Sequence, residues 1–400
     1  MPASDLGWCQ NSIDSLYNYL EAEDSKAFIL LKDGKIVLEQ YFNGHDSSKN
    51  WYWASAGKGL TAFLVGMAQE AGSLDIQDRT SDHLGLGWTS CAQAAEGEIR
   101  VIDQLRMSSG LDDGVDDVHC TEDSCLQCIA PPMTRWAYHN APYTLLDEVM
   151  EAATGSNLNT YVRQNLQDRT GMGGLYLRQG YNNVYLSDAR SMARFGLLML
   201  AEGIWDGDSI LSDRQYFQEM INTSQNLNKS YGYLWWLNGK ESFMLPQSQA
   251  TFTGSLCPEA PADMYSALGL NGQFINVIPS LNMVWIRMGN APNSVMVPHL
   301  LNAGIWDYIQ RLPCQTSLPE LSTLEFSLSP NPASTSLSID LKNKALVGRI
   351  IVMDLSGRTV LESTLSKQDN TMNINNLKAG IYQILIESNQ GIGVQRFVKL

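Results

Sequence analysis

Trp51 to Gly72 reads W-Y-W-A-S-A-G-K-G-L-T-A-F-L-V-G-M-A-Q-E-A-G. Leu60, Leu64, Met67 and Ala71 recur at steps of three and four residues, and Gly72 follows as a helix stop. The spacing predicts a helix with Ser55 at its N-terminus and Lys58 one turn along on the same face. Backbone N–H groups at such a start have no intrahelical partner, and the macrodipole favours a developing negative charge there. A hydroxyl in that position, beside an amine able to take or relay its proton, is a candidate nucleophile. The plain alternative is a serine N-cap followed by a solvated lysine. Ser-x-x-Lys occurs only here in the chain; being short, it needs partners elsewhere to carry weight.

On the N-terminal side, Ala27–Leu31 and Lys35–Phe42 flank Lys32-Asp33-Gly34, which reads as two strands joined by a tight Asp-Gly turn. Ile13, Leu16, Tyr17 and Leu20 place a helix before them, over residues 12–22. On the C-terminal side a long mixed region, about 73 to 230, carries helical patterns, clearest over 142–154 and 186–202. Strands return over 263–270, 273–278 and 282–288, and a helix is expected over 294–311. One antiparallel sheet built from both ends of this domain and packed against a helical half satisfies that order, an α+β architecture.

Residues 313–323 have linker composition, with two prolines and five Ser, Thr or Gln. Beyond them, short alternating runs over 336–341, 349–353, 380–386 and 394–400 are separated by Ser-Gly, Asn-Asn and Ala-Gly turns, the signature of a small all-β sandwich. The division is therefore a first domain over 1–315, a linker over 316–323 and a sandwich over 324–400.

The net charge of −15 argues against nucleic acid or an anionic membrane as partner. From residue 320 onward eight Lys or Arg face seven Asp or Glu, so the negative charge lies entirely in the first domain. No apolar run approaches the ~18 residues of a membrane span. Met1-Pro2-Ala3-Ser4-Asp5 lacks the basic head and apolar run of a signal peptide, so the chain reads as a mature or trimmed form. Seven cysteines leave at least one unpaired if the others form disulfides. His119, Cys120, Cys125 and Cys128 have a spacing a metal could use, but in an oxidising compartment a disulfide loop is the better reading, and no metal or cofactor is expected.

Tyr138-His139-Asn140 stands at a loop-to-helix boundary 83 residues after Ser55, where a side chain can project into a cleft. Ser55-Ala-Gly-Lys58, Met107-Ser-Ser-Gly-Leu111, Tyr138-His-Asn140, Tyr231-Gly-Tyr-Leu-Trp-Trp236 and Gly269-Leu-Asn-Gly-Gln273 together resemble the class C β-lactamase and penicillin-binding-protein-like serine hydrolases. The resemblance covers residues 10 to 312, and that family also holds carboxylesterases, D-aminopeptidases and 6-aminohexanoate-oligomer hydrolases. It implies a β-lactamase/transpeptidase-like fold, with Ser55 as nucleophile and Lys58 as its proton partner. Tyr138, its pKa lowered by Lys58, would be general base and later acid to the leaving group. Asn140 would orient Lys58 or a substrate carbonyl. The backbone N–H groups of Ser55 and of Gln273, on the edge strand, would form the oxyanion hole, with Gly272 allowing close approach of substrate.

The family's third motif, Lys-Thr-Gly or His-Thr-Gly, is matched here by Leu270-Asn271-Gly272, which lacks the cation and the hydroxyl. That departure points away from penicillins and peptidoglycan stems and toward small neutral esters or amides, with Arg287 the one residue able to replace the missing charge. Trp51, Trp53, Trp235 and Trp236 are candidates for the cleft wall or for plain core. The alternatives are a β-lactamase or D-aminopeptidase/DD-peptidase activity, or a non-catalytic binding or sensor protein on the same fold. The resemblance also implies that the first and last helices of the domain lie side by side, which would bring Cys9 to Cys314.

In the tail, Leu328-Ser-Pro-Asn-Pro332, Val352–Arg358, Leu377–Tyr382 and Arg396–Leu400 resemble the C-terminal sorting domain of the type IX secretion system. An immunoglobulin-like sandwich, a secreted or cell-surface location and the secretion machinery as partner are what this implies.

Overall fold

The computed structural model describes residues 1–292, 295–314, 324–341, 348–365, 370–388 and 391–400. They form two compact units, Met1–Cys314 and Gln315–Leu400. The linker expected over 316–323 lies outside the described residues.

In the first unit, helix α1 (Gln10–Ala22) buries Ile13, Leu16 and Leu20, the face its spacing announced. Strands β1 (Ser25–Lys32) and β2 (Lys35–Tyr41) follow as a hairpin. Asp33 and Gly34 both take positive φ, 52° and 73°, the geometry that matches the twist of a two-residue hairpin. Helix α2 (Gly57–Glu70) comes next. Its turn-spaced leucines suggested one apolar face, yet every residue from Gly57 to Ala68 is buried, so the helix is surrounded by the domain.

The middle of the chain supplies α3 (Asn140–Thr144), α4 (Leu146–Thr154) and α5 (Ala189–Leu200). The Asp188 side chain accepts from the Ser191 N–H and fixes the start of α5. Strands β3 (Trp236–Leu237), β4 (Tyr265–Gly269), β5 (Gln273–Ile278) and β6 (Met283–Gly289) then complete one six-stranded sheet in the order β2-β1-β6-β5-β4-β3. Every neighbouring pair is antiparallel. Two segments more than 200 residues apart in sequence, β1 and β6, thus pair inside it, with Ile29 opposite Ile286. Helix α5 lies close on this sheet because Gly196 has no side chain; a Cβ there would come within 2.5 Å of Val284.

Helix α6 (His299–Ile309) packs beside α1, where Tyr19 stacks on Tyr308 at 4.6 Å. Cys9, before α1, is disulfide-bonded to Cys314, after α6, with Cα atoms 4.8 Å apart. Cys91–Cys128 and Cys120–Cys125 are the other disulfides, which takes their sulfurs out of play as metal ligands, and buried Cys257 stays free. No helix among the described residues is long and apolar enough to cross a membrane.

Among its described residues the second unit has two antiparallel sheets. Phe326–Ser329, Ser336–Leu341 and Thr371–Asn373 form one; Gly348–Met353, Thr359–Leu365, Gly380–Ser388 and Gly391–Lys399 form the other. Leu337, Ile350, Val352, Ile384, Ile386 and Phe397 fill its own core.

Candidate active site

Ser55 sits in a 3-10 turn, Ala54–Ala56, that runs straight into α2. Ala54 is held at φ 46°, uncommon for a residue with a side chain, so the chain bends sharply just before the serine. The turn is packed from behind. A Cβ on Gly269, the last residue of β4, would lie 2.9 Å from the Ala56 nitrogen and 3.1 Å from the Ser55 nitrogen. Only a glycine there lets β4 approach the serine backbone this closely.

One turn along α2, the Lys58 ammonium donates to Ser55 Oγ at 2.9 Å and to Asn140 Oδ1 at 2.8 Å. Asn140 begins α3, so the loop-to-helix boundary that carries Tyr-x-Asn is what delivers it. The Lys58 nitrogen also lies over the Tyr143 ring at 4.1 Å and the Tyr138 ring at 4.9 Å. Lys58 is buried with no carboxylate beside it, and burial pulls its pKa down to about 7. A fraction of the amine is therefore neutral near neutral pH and able to accept a proton.

Tyr138 does not carry the lowered pKa that the resemblance implied. Burial raises it well above the ordinary phenol value, and its hydrogen bond with Ser55 offsets only part of that. With its pKa raised in this way, Tyr138 keeps its phenolic proton near neutral pH.

Beneath this layer Thr61 Oγ1 lies 3.4 Å from the Tyr143 hydroxyl and 3.3 Å from that of Tyr176. Asp147, on α4, accepts from Asn183 Nδ2 at 2.8 Å; burial raises its carboxyl to about 7.

The cleft above Ser55 holds about 570 Å³. Ser55, Lys58, Asn140, Tyr143 and Leu270 form its reactive side, and Gln179, Asn182, Asn183, Gln247 and His119 bring amides and an imidazole to its rim. Among the described lining residues Lys58 is the only lysine or arginine, and it is engaged by Ser55 and Asn140.

Three expectations for the third motif need correction. Gln273 is not on an edge strand: β5 lies between β6 and β4, and the Gln273 side chain is buried, bonded to Gly289 through both its oxygen and its nitrogen. Gly272 does not serve close approach of substrate either. A Cβ there would meet Arg287 Nη1 at 2.1 Å, so the glycine makes room for that guanidinium. Arg287 in turn cannot replace the missing cation. It is fully buried, donating to Ser25 Oγ and to the carbonyls of Glu23, Asn271 and Gly272. It clips the β4–β5 turn in place, and Asn271 on that turn donates to the Tyr52 hydroxyl at 2.6 Å.

The tryptophans are core or half-buried support. Trp53, Trp235 and Trp236 are buried, Trp51 donates to the Gly289 carbonyl, and none lines the cleft. Its aromatic walls are Tyr52 and Tyr143. His119 was passed over with the disulfide loop, yet it lines the cleft. The Ala141 N–H, next to Asn140, donates to the Val118 carbonyl at 3.0 Å, and the Cys120–Cys125 link follows directly. His139 is buried away from the cleft.

Residues 20–308 match the Beta-lactamase family, and residues 327–400 match the secretion system C-terminal sorting domain, which marks a type IX secreted or cell-surface protein. No curated protein matches the chain. Among solved structures, a Bacteroides dorei protein provisionally named a beta-lactamase has a TM-score of 0.61 at 14% identity over 77% of this chain and 100% of its own. A Bacillus anthracis protein provisionally named a 6-aminohexanoate-dimer hydrolase has a TM-score of 0.59 at 19% identity, covering 74% of this chain and 80% of its own. A family VIII carboxylesterase has a TM-score of 0.56 at 14% identity, covering 76% and 99%. At these identities the likeness is one of fold.

Proposed function

The chain belongs to the Beta-lactamase family, whose members are generally serine hydrolases, and from that premise we propose that it cleaves small neutral esters or amides through an acyl-enzyme on Ser55. The observation that carries this reading is Lys58, buried and bonded to both Ser55 and Asn140. Its neutral amine takes the Ser55 proton as Oγ attacks the substrate carbonyl. The oxyanion is held by the Ser55 N–H at the head of α2 and by a backbone N–H from the end of β4, at Gly269–Leu270, in place of Gln273. Tyr138 hands its phenolic proton to the leaving oxygen or nitrogen as that bond breaks, and the Lys58 ammonium restores it. Water then attacks the acyl carbonyl, giving a proton to Lys58, and the Lys58 ammonium returns that proton to Ser55 Oγ as the acyl–oxygen bond breaks and the acid leaves.

A cleft rimmed by carboxamides, in which Lys58, the one lysine among its described lining residues, is committed to the serine, supports a neutral substrate. The acidity of the first unit adds nothing for an anion. The test is kcat/KM for p-nitrophenyl butyrate against nitrocefin on one preparation. The butyrate ester is expected to win by at least tenfold; a preference for nitrocefin would return the protein to the lactamases. The sorting domain brings the secretion machinery as the partner of the second unit.

A further inference from the structure

Beside the catalytic cleft a second cavity of about 610 Å³ opens, and the two share Gln247, Val295 and Met296 as walls. Its lining is mostly aliphatic: Leu245, Ala291, Val297, Leu300 and Leu301 stand with two prolines. The polar residues there are largely spoken for. The Tyr19 ring lies flat on Tyr308, and His299 Nδ1 stands 3.3 Å from the Val297 carbonyl. Glu23 adds a negative charge at the wall.

We infer that this lobe is the subsite for an apolar arm of the substrate, so that the enzyme selects esters carrying an aliphatic chain over acetates. The inference rests on the hydrolase reading above and names its substrate class. Three observations support it. The lobe shares walls with the cleft that contains Ser55, so a chain attached to the scissile group enters it without leaving protein surface. Leu300 is 76% exposed and Val295 59% exposed, an apolar surface that an aliphatic ligand would cover. Glu23 disfavours an arm that ends in a carboxylate.

The test compares wild type with Leu300→Asp, a substitution at an exposed helix position that leaves the core intact. Two series are measured: p-nitrophenyl esters from acetate to octanoate, and alkyl acetates from ethyl to octyl followed by proton release. In the wild type kcat/KM should rise at least tenfold along one series, which identifies whether the acyl or the alcohol arm enters, since a single methylene in a well-formed apolar pocket is worth roughly tenfold. In Leu300→Asp the octyl-to-acetyl ratio should collapse, and a p-nitrophenyl monosuccinate should be poor in both proteins. Flat length dependence in both series overturns the inference while leaving a working hydrolase. Failure of wild type to hydrolyse any ester would instead sink the hydrolase reading. If Leu300→Asp leaves the ratio unchanged but alters the mass seen by light scattering, the patch is an interface between copies and the inference falls.

Discussion

The Lys58 ammonium donates to Asn140 Oδ1 at 2.8 Å, joining two residues 82 positions apart and holding the amine against Ser55. Asn140→Ala removes that acceptor inside a buried site, so the lysine gains freedom and loses its aim. A drop in kcat of about a hundredfold is expected with little change in the melting temperature, read by steady-state kinetics and a thermal scan.

The buried lysine also sets the pH profile. Its folded pKa, near 7, lies below the ordinary lysine value, so kcat/KM should climb with pH through about 7 and then level off. Tyr138, raised above the ordinary phenol value, does not supply that limb. The stability term has the same sign. Between about 7 and 10.5 the unfolded chain binds the proton that the folded chain lacks, so this group costs less stability as pH rises through that window. An acid limb that survives in an active Lys58→Arg variant would assign it to another group.

Asp147 works in the opposite direction. Its carboxyl is raised from 3.8 to about 7, so above the unfolded value the folded chain keeps a proton that the unfolded chain releases, and stability is lost as pH rises from about 4 to 7. Asp147→Asn keeps an acceptor for Asn183 and removes the charge. Its melting temperature should exceed that of wild type by on the order of 2–5 °C at pH 8 and match it at pH 4. Equal melting temperatures at pH 8 would show that Asp147 is already compensated in the fold.

Tyr138→Phe separates the donor role from the base role. Loss of a donor to the leaving group should hurt amides and alkyl esters by a hundredfold or more, and p-nitrophenyl esters far less, because nitrophenolate leaves without help. Equal losses across good and poor leaving groups would return Tyr138 to the role of base.

Much of the site was legible because its residues sit at punctuation marks of the chain. Ser55 and Lys58 announce themselves by helical spacing, and Tyr138 and Asn140 by a loop that ends in a helix start. The sheet was legible for a similar reason: β1, β5 and β6 are apolar runs bounded by turns. What stayed hidden depends on three-dimensional neighbours. Gly269 looks like any strand-end glycine until β4 is seen against the serine, and Arg287 looks available until four oxygens surround it. Burial reversed the expected shift of Tyr138, and burial is not written in a three-residue motif. In the tail, Thr359–Leu365 went unread because Glu362, Ser363 and Thr364 interrupt its apolar alternation.

Residues 1–314, expressed without the tail, should remain folded and retain the esterase rate. This unit has its own core, and the retained Cys9–Cys314 bond closes a loop of 305 residues, worth about 6 kcal/mol by chain-entropy arithmetic. Aggregation of the oxidised truncated protein, or a rate below a third of the full chain's, would show that the tail supports the catalytic unit.

Covalent labelling of the serine tests the proposal most directly. Wild-type protein treated with a fluorophosphonate probe should gain a single adduct by intact mass, mapped to Ser55 after digestion and lost in Ser55→Ala together with ester hydrolysis. An adduct on another residue, or a Ser55→Ala variant that still turns over p-nitrophenyl butyrate at the wild-type rate, would contradict it.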